Sequence, residues 1–105
     1  MVTEEQVKAA ALKAGFPDLY REALEIGLIQ NLSMINEGLN KSSPRIMVWL
    51  ASGMYTAVVI DYSQELMFAA LKTFVTELFQ DVDMRTIALR AVANIKKLFE
   101  TADLL

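Results

Sequence analysis

Between Arg45 and Asp61 the chain runs for fifteen residues without a charge, IMVWLASGMYTAVVI, and this stretch constrains the fold more than any other. As a helix it would be about 22 Å long at 1.5 Å per residue, short of the roughly 30 Å hydrocarbon core of a bilayer. Asp61, Gln64 and Glu65 follow at once, and the patterns on either side are amphipathic rather than uniformly apolar. A buried central helix over 44–60 is therefore expected instead of a membrane span, because a helix apolar on all sides has to be surrounded by others. Ser43 supplies its N-cap, and Pro44 takes the first helical position, where a missing N–H costs nothing. The run YTAVVIDY also has the β-branched and aromatic composition of a strand, but no second strand pattern is available to pair with it.

With 105 residues the chain is one domain, 1–105, since two cores would each bury too little apolar surface. Hydrophobic residues make up 54% of it and the mean hydropathy is +0.33, more apolar than a typical soluble chain. The excess is expected between subunits, in a homodimer or higher oligomer, because obligate interfaces resemble a core cut in half. Cysteine and histidine are both absent. That removes disulfides, thiolate metal sites, the commonest general base and every Ser-His or Cys-His arrangement. Net charge is −3, so a phosphate-binding surface is disfavoured. Glu4 and Glu5 stand where a signal peptide would carry positive charge, which gives a cytoplasmic reading.

The remaining pattern predicts helices throughout. Thr3 before Glu4-Glu5 is an N-cap signal and Gly15-Phe16-Pro17 a stop, so a first helix is expected over about Glu4 to Ala14, with Val7, Ala10, Ala11 and Ala14 as a shallow apolar stripe. A second helix starts at Pro17-Asp18 and is expected to run through Leu28, Leu32, Ile35 and Leu39, closed by Gly38. Gly27 inside it costs roughly 1 kcal/mol relative to Ala, and implies a close neighbour or a bend. After the polar linker NKSSPRI and the central helix, the stripe Leu66, Ala70, Leu71, Phe74, Val75, Leu78 predicts another helix to about Gln80. One helix from Pro44 to Gln80 would be on the order of 55 Å long, so a break is expected near Asp61 to Ser63. Asp81 or Asp83 opens the last helix, with Ile87, Ala91, Val92, Ile95, Leu98 and Phe99 inward and Arg90, Asn94 and Lys97 outward.

Two groups of side chains stand out as sites. Met47, Trp49, Ser52, Gly53, Thr56 and Ala57, together with Ala51, form a face of small residues edged by large ones, the pattern that lets helix backbones approach closely. This face is the candidate self-association interface, with close packing inside one chain as the alternative. Tyr55, Asp61, Tyr62 and Glu65 form a candidate polar site, in which a carboxylate edged by aromatic rings could exchange a proton, unless Asp61 simply caps the next helix. Met34, Met47, Met54 and Met67 could line an apolar cavity. Arg85, Arg90, Lys96 and Lys97 share the last helix with an equal number of carboxylates, which reads as a wet outer face.

Two short stretches resemble known families. AAALKAGFPDLYREAL, Ala9 to Leu24, resembles the helix-turn-helix of TetR-like repressors in Ala11, Gly15 and the following Tyr20, which would imply DNA binding. Residues 1–25 carry three basic against five acidic side chains, however, and a recognition helix with Asp18, Glu22 and Glu25 would repel phosphate. Glu22 and Glu25 also make the E-x-x-E half-motif that resembles MazG-like all-helical nucleotide pyrophosphohydrolases, which would imply a divalent cation. The matching acidic pair downstream is represented by Glu37 alone.

These readings converge on an all-α, compact bundle of four to five helices around an apolar central helix at 44–60. The expected function is binding: a small non-enzymatic, homo-oligomeric regulatory or adaptor protein, of a size that suits a phage or mobile-element origin, acting on itself and on another protein. No cofactor, metal or catalytic residue is expected, and neither nucleic acid nor membrane is the expected partner. A DNA-binding regulator and a MazG-like metal-dependent hydrolase are the alternatives.

Overall fold

Thr3 fixes where the chain first becomes helical. Its hydroxyl accepts from the Gln6 amide, and the Gln6 side chain accepts in turn from the Thr3 amide, a reciprocal capping box. Helix α1 then covers Glu4–Ala14 and ends at Gly15, whose φ of 79° lies in the left-handed region that glycine adopts without strain. The computed structural model describes residues 1–38, 43–57 and 64–101, and among them six helices. After α1 these are α2 (Asp18–Gln30), α3 (Leu32–Gly38), α4 (Ser43–Ala57), α5 (Gln64–Leu78) and α6 (Val82–Thr101).

The fold class is all-α, as the periodicity indicates, with one helix more than expected. The difference is at Asn31. The stripe Leu28, Leu32, Ile35 does continue, with Leu28 and Ile35 fully buried, yet the helix is interrupted between α2 and α3. Asn31 folds its side chain back, donating Nδ2 to the Gly27 carbonyl at 2.8 Å and to Ser52 Oγ of α4 at 3.0 Å. Its own carbonyl then accepts from the Met34 and Ile35 amides and starts α3. The Gly27 carbonyl, left without its helical partner at the end of α2, is thereby satisfied by a side chain, as a helix terminus requires.

Packing pairs the helices around a ring: α1 lies on α2 and α5, α2 on α4, α4 on α6, and α6 on α5, with α3 against α4 and the end of α2. The molecule measures 32 × 27 × 21 Å, which rules out a single helix of about 55 Å from Pro44 to Gln80. The expected break at Asp61 to Ser63 falls outside the described residues.

Two helices turn a slightly different face inward than the pattern suggests. In α5, Met67 and Phe68 reach the core while Leu66 is 59% exposed; at 100° per residue the stripe through Leu71, Phe74 and Val75 takes in 67 and 68 and leaves 66 outside. In α6 the buried line is Ala88, Ala91, Val92 and Ile95, with Leu98 half exposed and Ile87 half buried. In α1, Val7, Ala10 and Ala11 are buried as expected, and Ala14 is half buried. Phe16, in the α1–α2 turn, is buried and sits 5.1 Å from the Tyr20 ring and 6.1 Å from Phe74 of α5, which ties the turn to α5. Asp81 caps α6, its Oδ1 accepting from the Met84 amide at 3.0 Å.

Candidate functional site

The apolar segment that dominates the sequence packs as α4 against α2, α3 and α6, with Ile46, Trp49, Leu50 and Gly53 buried and Val48 left 54% exposed, so it is not surrounded on every side as its composition suggests. Trp49 is fully buried; its indole nitrogen donates to the Leu28 carbonyl of α2 at 2.8 Å, and its ring meets Phe79 edge-on at 6.3 Å. Gly53 faces α2 as well. A Cβ built there would stand 2.9 Å from Leu24 Cδ1 and 3.0 Å from Leu28 Cγ and Cδ2, so the leucines of the same chain fill the space that the missing side chain leaves. Of the six residues read as a self-association face, Trp49 and Gly53 thus lie inside the protomer. Met47 and Ser52 are half buried, Met47 against the core and Ser52 on Asn31. The side chains of Thr56 and Ala57 fall outside the described residues.

The candidate polar site is not brought together within the described residues: Asp61, Tyr62 and the Tyr55 side chain lie outside them, and Glu65 is exposed in the first turn of α5. Of the four methionines, Met67 is buried, Met34 and Met47 pack against the core from its edge, and the Met54 side chain is again outside. Among the described residues, no helix is long and apolar enough to cross a membrane, and no three acidic, histidine or cysteine side chains converge as a metal site.

Among the described residues, two of the surface grooves differ in charge. Between α1 and α2, an open groove of about 470 Å³ is lined by Glu4, Lys8, Glu22, Glu25, Ile26 and Ile29 with Gln30. Lys8 is engaged by Glu4 at 3.3 Å, and Glu25 by Arg21 at 3.7 Å. Glu22 is exposed beside them, so the groove is acidic with an isoleucine floor. The MazG-like Glu22 and Glu25 therefore sit on one wall, and the opposing acidic side chain is Glu4 of α1.

Between α5 and α6 lies the second groove, about 430 Å³, lined by Phe68, Lys72, Val92, Ala93, Lys96, Lys97 and Glu100. Phe68 and Val92 are nearly fully buried and form its floor, while Lys72, Lys96 and Lys97 are exposed on its walls. Three lysines against one glutamate make it basic. Counting charge along α6 alone gives balance and hides this, because the third lysine comes from α5. The signal that could have found it is a shared spacing: Phe68 precedes Lys72, and Val92 precedes Lys96, by one helical turn on two adjacent helices.

The outer side of α2 completes the picture. Tyr20, Leu24, Gly27 and Leu28 turn inward, leaving Asp18, Leu19, Glu22 and Ile26 outside, with Leu19 66% and Ile26 54% exposed. The stretch resembling a recognition helix thus presents carboxylates and aliphatic side chains to solvent. The chain matches no protein-family model, no curated protein and no solved structure.

Proposed function

We propose that this protein is a non-enzymatic helical interaction module, a small regulatory or adaptor protein that associates with itself and with another protein. The observation that supports this most is the α5–α6 groove: a buried apolar floor edged by three exposed lysines, the shape and charge that receive an acidic amphipathic helix.

The reading is tested by the solution mass of the purified protein across a range of concentrations, without detergent. An oligomer at low salt is expected, and a monodisperse monomer throughout would remove self-association. The two alternatives have their own tests. Retention of duplex DNA at low salt would favour a regulator, and thermal stabilisation by Mg²⁺ or Mn²⁺ would favour the hydrolase. The acidic outer side of α2 weighs against the first.

A further inference from the structure

We infer that the α5–α6 groove receives helix α2 of a second copy of this chain; the inference rests on the self-association reading above and names its surface. The occupant follows from charge and shape. The groove is concave and basic, with Lys72, Lys96 and Lys97 around Phe68 and Val92. The ridge is the outer side of α2, with Leu19 and Ile26 exposed two turns apart and Asp18 and Glu22 beside them, and Glu22 and Ile26 standing where it borders the α1–α2 groove. Leucine and isoleucine lie along Ala93 and the aliphatic stems of the lysines while the carboxylates meet the ammonium groups, the helix-in-groove arrangement. Neither Glu22 nor the three lysines enters a described ion pair within the protomer, so each has a charge to offer, whereas Asp18 is shared with Arg21 at 3.1 Å.

The two surfaces lie on different sides of the ring: α1 packs on α5, and the Lys13–Glu77 pair, 3.3 Å apart, bridges that seam between them. A contact of ridge with groove is therefore heterologous, each copy using one surface on each neighbour, and it either closes into a ring or continues as a chain. Steering between opposite charges also makes it sensitive to salt, since exposed charges are screened over about 8 Å at physiological ionic strength.

The test is a charge swap read by sedimentation. Lys72→Glu/Lys96→Glu and, separately, Asp18→Lys/Glu22→Lys should each weaken self-association at least about tenfold, with helicity unchanged, because like charges then face each other. Mixed in equal amounts, the two variants should associate again, since the reversed ridge of one fits the reversed groove of the other, and the unreversed ridge and groove still match. Wild-type association that both variants retain overturns this contact and leaves the broader self-association reading in place. Failure of the mixture to recover, with both variants folded and each dissociated, overturns the pairing of ridge with groove. A wild-type monomer at every concentration overturns both, and would leave the groove to an acidic helix of another protein.

Discussion

The indole nitrogen of Trp49 is 2.8 Å from the carbonyl oxygen of Leu28, and both residues are fully buried. Because α2 stops at Gln30, that carbonyl lacks a regular helical partner and is held by the indole and, at 3.2 Å, by the Asn31 amide. The uncharged run thus contributes a polar contact at the place where the fold departs from its sequence pattern. Trp49→Phe keeps most of the ring and removes the donor, and should cost about 1 kcal/mol, a drop of roughly 4–8 °C in Tm for a domain of this size. Trp49→Ala should cost about 3–5 kcal/mol. Urea midpoints with unchanged slope are the measure, and a Phe variant as stable as wild type would show the bond to be dispensable.

Gly53 gives a prediction of mixed sign. Alanine gains up to about 1 kcal/mol of helix propensity, but its methyl enters the 2.9–3.0 Å gap to Leu24 and Leu28. Overpacking costs about 1–3 kcal/mol, so Gly53→Ala should be less stable, and Gly53→Leu should prise α2 from α4. Leu24→Ala alone should cost about 2–5 kcal/mol by opening a cavity. Combining it with Gly53→Ala should cost less than the sum, and strict additivity would argue against the contact.

Asn31 should be coupled to Ser52. Asn31→Ala removes both bonds of its amide, and a loss of about 1–2 kcal/mol is expected. A double-mutant cycle with Ser52→Ala should give a coupling of at least about 0.5 kcal/mol. Independent effects of the two substitutions would mean that the break at Asn31 is held by local geometry alone.

The ends of α1 can be tested without touching the core. Thr3→Ala removes one half of the capping box and should cost about 0.5–2 kcal/mol. Gly15→Ala meets no neighbour, so its cost of about 1–2 kcal/mol should come from the positive φ alone. Asn at the same position tolerates the left-handed region and should recover part of it.

Elements whose boundaries are encoded by neighbouring residues were legible in the sequence. Thr3, Gly15 and Asp81 each act within four residues, and α1 and the start of α6 lie where they indicate. The α2–α3 break was not legible, because the apolar stripe through Leu28 and Ile35 is continuous and Asn31 interrupts it partly through Ser52, 21 residues away. For the same reason the small-residue face of α4 could be recognised by spacing, while the identity of its neighbour could not: Leu24 and Leu28 come from a helix whose inner face only packing defines. The basic groove escaped because charge was counted along one helix, whereas Lys72 joins Lys96 and Lys97 across two.

At the start of the chain, Val2 and Asn36 grip each other twice. The Val2 amide donates to Asn36 Oδ1 and the Asn36 amide donates to the Val2 carbonyl, both at 2.9 Å. The side chain of Asn36 thus treats the residue before the α1 cap as one strand treats another. Helix α3 has seven residues, well short of the ~12–15 that hold a helix together in isolation. Its order rests on packing against α4 and on this pair with Val2, and deuterium should reach the Val2 amide faster once Asn36 is replaced by Ala.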